Sequence, residues 1–535
     1  MKLSNSTIIL LLVALCIPYI MGIVNIDVMD VDASQYASIS REMLENGDYL
    51  QVKHRQGDYL DKPPLLFWTS ALSFKIFGIG LWQYRLFSLL LSILGIWSVY
   101  QLGKSLYDKL TGQFSALILA STQAFFLINH DVRTDTLLCG AIAFAVWQLH
   151  SFLATNAWKN LIGGCLGIAM AMLSKGPIGI MVPVLALGTH MILSKQLYKL
   201  LNWKWLAGFA VVALCLLPMS IGLYQQWGFK GLRFYYWTQS FGRITGESEW
   251  NNNTGFEFFL HTFLWAFLPW SLLAIGALLN KFRHLKQGEY LTLGGFLLPF
   301  IALSFSKYKL PHYIFVTFPF LAILTGHYIK SFLEKGKLLK RWYIVHLVIL
   351  VLLLLVGIAP ITYPFGFASF WLFLLIAVYL AVFIYFSFQT TPKPLKIITL
   401  SVIAISTVNL GLNGHFYPKL MHYQSGSEMA KYVLDQKIDL EKIHPFNYFD
   451  HSFEFHTGVR DEGYNLEIIN KATRNNETFW INTTSEYDQH LTPFSTFETE
   501  RVYFEKYPVT KLKARFLNPE TRKETLKQGI LIRYN

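Results

Sequence analysis

Charge is scarce in this chain, and most of its length has too little of it for a soluble protein. Only 15% of the 535 residues are charged, whereas 53% are hydrophobic. Apolar runs long enough to cross a hydrocarbon core recur along it. This composition argues against a wholly soluble protein and predicts a polytopic membrane protein with one soluble appendage.

Cysteine is rare as well, and a secretory cleavage site is lacking. The four cysteines, Cys16, Cys139, Cys165 and Cys215, all fall inside apolar runs. They are therefore expected to be small buried apolar side chains, and a disulfide framework is excluded. The first apolar run has no small-residue cleavage site after it, so we interpret it as a membrane anchor and not as a signal peptide.

The apolar runs predict about thirteen transmembrane helices. They cover residues 6–24, 82–102, 114–129, 135–153, 161–173, 177–193, 205–223, 258–279, 291–306, 311–329, 343–359, 367–388 and 397–414. An odd number of helices places the first outer loop and the C-terminal segment on the same, outer side. The predicted fold class is an α-helical polytopic membrane protein with a small C-terminal α/β extracytoplasmic domain.

Basic residues outnumber acidic ones by 46 to 33, for a formal net charge of +13. This excess does not indicate binding to nucleic acid, because the lysines and arginines concentrate in every second loop. With a cytoplasmic N-terminus those loops face the cytoplasm, as expected from the positive-inside rule.

Two domains are predicted. Residues 1–420 are expected to form a transmembrane domain with outer loops at residues 25–81 and 224–256, and residues 421–535 a soluble extracytoplasmic α/β domain. Internal repeats, which are common in transporters, are lacking.

Short elements are also predicted in the first outer loop and in the C-terminal region. Residues 33–46 have the apolar spacing of an amphipathic helix that lies along the membrane surface. In the C-terminal region, residues 426–436 are predicted to be helical, and residues 479–482, 501–504 and 530–534 are predicted to be strands.

The first outer loop has an unusual charge pattern for its place in the chain. Residues 26–64 interrupt an otherwise apolar sequence, with Asp27, Asp30 and Asp32 in close succession and Asp-Lys-Pro-Pro at the end. A charged loop is costly to hold beside lipid, so we expect it to serve chemistry.

Two carboxylates, Asp32 and Asp135, lie at predicted outer ends of helices. Either could act as a general base on an acceptor hydroxyl, or could orient that hydroxyl. Asp135 could equally cap the fourth helix by accepting hydrogen bonds from free backbone N–H groups. Asp32 has no such role if Ser34 caps the helix at residues 33–46.

Cations gather on the outer side, where the positive-inside rule predicts few of them. Each of Lys62, Lys175, Arg243 and Lys307 alone is typical of an interfacial side chain that snorkels. Together they predict a bound anion, and the natural anion at a membrane surface is a lipid phosphate. Tyr313 could donate to that phosphate or belong to an interfacial aromatic belt.

Ligand spacing typical of a metal site is lacking. His54, Asp61, His130 and His312 are the candidates, and their spacing matches no metal motif. No metal ligand and no cofactor is therefore assigned, although a divalent metal stays open.

The order of these features resembles that of the C-type membrane glycosyltransferases (GT-C). The resemblance rests on the segments YASISREML, LDKPP, VRTD, LSKGP and SKYKLPHY, in this order and on the predicted outer side. The branch that holds the aminoarabinose lipid A transferases and the protein O-mannosyltransferases is most similar. The resemblance implies a multi-pass enzyme of the bacterial inner membrane that takes a sugar from a polyprenyl-phosphate carrier. It would transfer that sugar on the periplasmic side to a lipid A-like lipid, a protein or a glycan.

The resemblance also implies roles for individual residues. Asp32 matches the catalytic aspartate of the first loop, and Asp135 matches the second acidic site. Lys62 matches the lysine that holds the donor phosphate, and Arg243 and Tyr313 match further phosphate contacts.

Three departures from the aminoarabinose branch stand out. Gln35 replaces an arginine, Asp61 replaces a glutamate, and the histidine that usually precedes the arginine of the aromatic loop is missing. Neither the metal site of part of that branch nor aminoarabinose specificity is therefore predicted.

In the predicted mechanism, Lys62 and Arg243, with Lys175 or Lys307, neutralise the donor phosphate as leaving group. Asp32 deprotonates or positions the acceptor. A transporter or flippase of a lipid-linked or anionic substrate is the alternative, but it would place its charges near the bilayer midplane. A non-catalytic scaffold whose C-terminal domain binds a partner is a third interpretation.

Overall fold

The computed structural model is mostly helical and describes the chain except residues 1–3, 56, 240–241, 243–253, 286–287, 332–335, 461–477, 488–498 and 535. The helices of the membrane region are α1 Asn5–Asn25, α2 Asp32–Asn46, α3 Leu65–Phe77, α4 Leu81–Leu106, α5 Lys109–Ala120, α6 Gln123–His130, α7 Thr134–Thr155, α8 Trp158–Lys175, α9 Ile178–Leu193, α10 Lys204–Trp227, α11 Phe229–Arg233, α12 Phe258–Ala266, α13 Ser271–Arg283, α14 Leu291–Ser304, α15 Phe318–Ser331, α16 Gly336–Val356, α17 Ala359–Thr362, α18 Phe370–Phe388, α19 Lys393–Gly411 and α20 Tyr417–Met421. The short strands β1 Lys53–His54 and β2 Gly57–Asp58 pair antiparallel in the first outer loop.

Every predicted span coincides with a helix or with a pair of helices. Among the described residues, eight helices are long and apolar enough to cross a membrane. Two more spans are bent helix pairs, α5 with α6 at 54° and α12 with α13 at 116°. The other three are α8, α9 and α14, with 18, 16 and 14 residues. The protein is therefore a multi-pass membrane protein, and the count of thirteen stays a prediction.

The predicted helix of the first outer loop is confirmed, and it begins one residue earlier, at Asp32. The expectation that Ser34 caps it is wrong, because the Ser34 hydroxyl donates to Asp30 Oδ1 at 2.5 Å and to the Val31 carbonyl at 3.1 Å. One side of α2 packs on α3 and the other on the C-terminal region. Nine of its fifteen residues are buried, so protein covers much of the helix that was expected to lie along the membrane surface.

The C-terminal region contains the predicted sheet. Its elements are α21 Ser425–Asp435, β3 Ile443–Pro445, α22 His451–Thr457, β4 Phe479–Thr484, β5 Thr499–Lys506, α23 Ala514–Leu517 and β6 Lys527–Tyr534. The strand order is β3-β4-β6-β5, parallel between β3 and β4 and antiparallel elsewhere. The helix and the three predicted strands are thus confirmed, whereas β3 and α22 were missed. The predicted domain boundary at residue 420 stays a proposal.

One buried arginine joins three segments at the outer end of the bundle. Arg85, near the start of α4, has no exposed surface. Its guanidinium donates to three backbone carbonyls, those of Ile23 at 2.8 Å, Asp27 at 3.0 Å and His130 at 2.9 Å. The ends of α1 and α6 and the beginning of the first outer loop are therefore held around one side chain.

The first outer loop is also bonded to the C-terminal region. Asp27 Oδ1 lies 2.7 Å from His456 Nε2. The Gln424 amide donates to the Val28 carbonyl at 2.8 Å and accepts from the Asp30 N–H at 2.9 Å. These bonds make the C-terminal region a direct support of the loop.

Replacing Arg85 by methionine is expected to destabilise the protein by about 3 kcal/mol or more, because three buried carbonyls lose their donor. Thermal unfolding of the purified protein in detergent measures the effect. Arg515→Met, which removes an exposed arginine paired with Glu524, is the control and should leave Tm nearly unchanged. Equal Tm values for the two variants would contradict this account of Arg85.

Candidate active site

A cavity of about 740 Å³ opens where the first outer loop, the ends of several helices and the C-terminal region meet. It brings together five of the seven predicted site residues, which are Asp32, Lys62, Asp135, Lys175 and Tyr313. Their sequence positions span nearly three hundred residues, so only the tertiary fold makes them neighbours.

Local structure explains why each charge lies at the cavity. Asp32 and Asp135 are in the first turns of α2 and α7, where the helix dipole favours a negative charge. Lys175 is the last residue of α8, where the dipole favours a cation. Lys62 precedes Pro63 and Pro64, whose restricted backbone leads into α3.

Arg133 links two carboxylates of the cavity. Its guanidinium forms an ion pair with Asp32, and its Nε lies 3.0 Å from Asp131 Oδ2. Burial alone would lower the pKa of Arg133, but the two carboxylates raise it instead. The guanidinium is therefore a permanent cation between them.

Asp135 has two cationic or protonatable neighbours. The Lys175 ammonium lies 2.6 Å from Asp135 Oδ1, and His312 Nε2 lies 3.5 Å from Oδ2. The same ammonium lies 3.7 Å from the centroid of the Tyr313 ring, which is a cation–π distance. Arg133, and not Asp135, is the N-cap residue of α7. The Asp135 side chain forms the ion pair with Lys175 instead of capping the helix.

Lys62 is paired with its neighbour in sequence. Its ammonium lies 2.6 Å from Asp61 Oδ2, and the Gln239 side-chain amide donates to the Asp61 backbone carbonyl. Asp61 therefore connects Lys62 with Gln239.

Two predicted phosphate contacts are not among the described residues that line this cavity. Arg243 lies outside the described residues. Lys307 is exposed and does not line the cavity. Its neighbour Lys309 is buried and donates to the Thr254 carbonyl at 2.8 Å. Of the two lysines considered for the phosphate, the geometry favours Lys175 over Lys307.

Sequence reasoning gave no role in the predicted mechanism to Asp131, Arg133, His312 and Lys511, which line the cavity. Arg133 lies within the VRTD segment and Asp131 directly before it, and the position of that segment pointed to the region but not to these two side chains. His312 was considered only as a metal ligand. Lys511 comes from the C-terminal region, more than three hundred residues from α7, and no motif marks it.

Burial raises the pKa of Asp131, and Arg133 only partly offsets that effect. A carboxyl whose pKa is raised in the folded state adds stability below its unfolded pKa, and that contribution is lost as pH rises through the folded value. Asp131→Asn should therefore match the wild type in stability near pH 4 and exceed it near pH 7.

Tm measured from pH 4 to pH 8 checks this expectation. Asp435→Asn, at an exposed aspartate, is the control and should follow the wild type throughout. A wild type that gains stability relative to Asp131→Asn as pH rises would contradict the prediction.

Comparisons with known proteins agree with this architecture. A family model described as dolichyl-phosphate-mannose-protein mannosyltransferase matches residues 61–221. The undecaprenyl phosphate-alpha-4-amino-4-deoxy-L-arabinose arabinosyl transferase of Pseudomonas aeruginosa is 29% identical over 339 residues, which are 61% of this chain and 60% of the relative. The enzyme of the same name from Edwardsiella ictaluri is 28% identical over 327 residues, 58% of this chain and 57% of the relative. The chain thus matches about three fifths of the length of these curated relatives.

A solved structure extends the likeness of fold to nearly the whole chain. It is ArnT from Cupriavidus metallidurans bound to undecaprenyl phosphate, with a TM-score of 0.76 at 18% identity, covering 99% of this chain and 98% of the other. This match confirms the predicted α-helical polytopic membrane fold with a small C-terminal domain that contains a sheet.

Proposed function

We propose that this protein, a C-type membrane glycosyltransferase by its fold and its relatives, transfers a sugar from a polyprenyl-phosphate donor to a lipid, protein or glycan acceptor. The observation that carries the proposal is the cavity in which Lys62, Arg133 and Lys175 are each paired with a carboxylate. A site with this many exchangeable cations is suited to a phosphate leaving group and an acceptor that must lose a proton.

The cations would bind the donor phosphate by exchanging partners. Each of the three contacts a carboxylate within the cavity, and a phosphate offers anionic acceptor oxygens for the same N–H groups. Negative charge develops on the phosphate oxygen as the sugar leaves, and cations held in place before the reaction stabilise it. Tyr313, beside Lys175, is placed to donate to the same phosphate.

Asp32 would act on the acceptor. The bond between the anomeric carbon and the phosphate oxygen breaks, and a bond from the same carbon to an acceptor oxygen forms. An acceptor hydroxyl passes its proton to Asp32, and polyprenyl phosphate leaves. If the acceptor is a lipid phosphate, which is already anionic, Asp32 positions it instead. Asp135 would hold Lys175 in place for the phosphate.

The P. aeruginosa and E. ictaluri relatives are named for aminoarabinose and undecaprenyl phosphate. We extend to this chain the polyprenyl-phosphate donor and a lipid A-like acceptor, together with the transfer of a pentosyl or hexosyl group. Gln35 lines the cavity where the aminoarabinose branch has an arginine. Because the amide at this position is neutral, we do not propose aminoarabinose as the sugar that this protein transfers.

We place the cavity and the C-terminal domain on the periplasmic side of the bacterial inner membrane. The support is the basic composition of the alternate loops, which marks the cytoplasmic side. Under this orientation, residues 421–535 belong to an extracytoplasmic domain, and residues 509–512 of it line the cavity together with residues of the membrane region. No described feature favours the transporter, since the cavity charges lie at helix ends.

Asp32→Asn and Lys62→Ala are each expected to lower transfer at least about a hundredfold, because a base or a phosphate cation is removed. The assay is transfer of labelled sugar by the purified variants in detergent. Lys75→Ala is the control, since Lys75 is an exposed lysine of α3 that does not line the cavity. Transfer near the wild-type rate in both cavity variants, with folding intact, would overturn the assignment.

The donor and acceptor can be identified together. Purified protein is incubated with radiolabelled polyprenyl-phosphate sugars and a bacterial membrane extract, and labelled products are separated into lipids and proteins. We expect label in one lipid or protein fraction, and none with Asp32→Asn. Transport of the donor across vesicles without any labelled product would favour a flippase.

A further inference from the structure

A second group of polar side chains lies outside the cavity, between the first outer loop and the C-terminal region. His54 is the last residue of β1, and His451 and Glu454 lie on α22. One potential ligand atom from each residue lies within 4.8 Å of the other two. None of the three residues lines the candidate active site.

The two distances from the Glu454 carboxylate match the coordination sphere of a small transition-metal ion. Glu454 Oε2 lies 3.4 Å from His54 Nε2 and 3.4 Å from His451 Nδ1. Bonds of about 2.0–2.2 Å in a tetrahedral arrangement separate ligand atoms by about 3.3–3.5 Å. An ion could therefore bind all three side chains with small rotations.

The sequence and the burial of these residues also favour ligation. His451 and Glu454 are three residues apart on one helix, so they project from the same face. His54 is nine-tenths buried, and its Nε2 makes no hydrogen bond within the described part of the chain. A buried imidazole nitrogen that faces a carboxylate and a second imidazole has the chemistry of a metal ligand.

Neighbouring residues orient the carboxylate. Arg55 Nε donates to Glu454 Oε1 at 2.6 Å, and the Ser38 hydroxyl donates to Oε2 at 3.2 Å. Hydrogen bonds of this kind fix ligating carboxylates in known metal sites. Arg55 Nη2 also lies 3.2 Å from His451 Nδ1, and an ion at Nδ1 would take the place of that contact.

We propose that His54, His451 and Glu454 bind one divalent transition-metal ion of the Zn²⁺ type, with water as the fourth ligand. Two imidazoles and one carboxylate suit Zn²⁺ better than Mg²⁺ or Ca²⁺, which prefer oxygen ligands alone. The ion would fasten the β1–β2 hairpin to α22. Because the hairpin lies just before Asp61 and Lys62, the ion would hold the basic end of the loop in register with the C-terminal domain.

The test uses full-length protein purified in detergent without a histidine tag and stripped with a chelator. Zn²⁺ is titrated against a chromogenic competitor, and bound zinc is counted by mass spectrometry. The wild type should bind one Zn²⁺ per chain and gain thermal stability as Zn²⁺ is added. His54→Ala and His451→Ala should each bind at least about tenfold more weakly.

His422→Ala is the matched control. His422 Nδ1 lies 3.1 Å from Glu428 Oε2 in the same region, a histidine–carboxylate pair outside the proposed ligand set. This variant should bind Zn²⁺ as the wild type does. His54→Gln serves as a milder change if His54→Ala fails to fold.

Substitution with Co²⁺ gives a second measurement that needs no variant. A four-coordinate site should give an intense visible absorption band that Zn²⁺ abolishes. A wild type without bound metal, a Co²⁺ spectrum typical of six-coordinate water, or equal binding by the wild type and the two histidine variants would overturn the proposal. Because none of these readouts is activity, they stand apart from the test of glycosyl transfer.

Discussion

The hydrogen bonds of one buried guanidinium bring together segments that lead into the candidate active site. Arg85 carries a charge into a position without exposed surface and donates to carbonyls at the ends of α1 and α6 and in the first outer loop. A buried charge is tolerated only where its donors are satisfied, so the three segments must meet there. The residues that follow these carbonyls include Asp32 on one side and Asp131 and Arg133 on the other. The ion pair of Asp32 with Arg133 depends on this junction, although Arg85 itself does not line the cavity.

Three cations of the cavity are each paired with a carboxylate among the described residues. Lys62 with Asp61, Arg133 with Asp32 and Asp131, and Lys175 with Asp135 are close enough to offset one another. Partly buried ions without partners would cost several kcal/mol each, whereas pairs can be formed and exchanged. An anionic substrate would then replace carboxylates at the cations and leave those carboxylates available to the acceptor. In the proposed mechanism, the pairs offset the buried charges without substrate and exchange partners when substrate binds.

The C-terminal region supports the first outer loop and also lines the cavity. Two sets of contacts hold the acidic part of the loop. Asp27 pairs with His456, and the Gln424 side chain bonds the backbone of Val28 and Asp30. Arg41 of α2 donates to the carbonyls of Phe455 and Thr457 at 2.8 and 3.1 Å, at the end of α22. The group of His54, His451 and Glu454 adds a contact at the hairpin, and Lys511 lines the cavity from the same side. The C-terminal region has no recognisable motif, and its contribution is to hold the first outer loop and to line the cavity.

Much of the fold could be predicted from hydropathy. A long apolar segment in lipid must satisfy its backbone hydrogen bonds internally, and a helix does so within one segment. Acidic residues at predicted helix ends identified Asp32 and Asp135 from the sequence, and cations on the predicted outer side identified Lys62 and Lys175. Three features could not be predicted in this way. They are the position of Arg133 between two carboxylates, the choice of Lys175 over Lys307 at the cavity, and the place of Lys511 in its lining. Each depends on contacts between residues far apart in sequence, and hydropathy and motif order carry no distance information. The sequence by itself determined the membrane class, the charged first loop and which acidic and basic side chains it offers. The tertiary structure alone decided which of these charges meet. The reason is that packing around Arg85 and against the C-terminal region brings segments that are far apart in sequence within bonding distance.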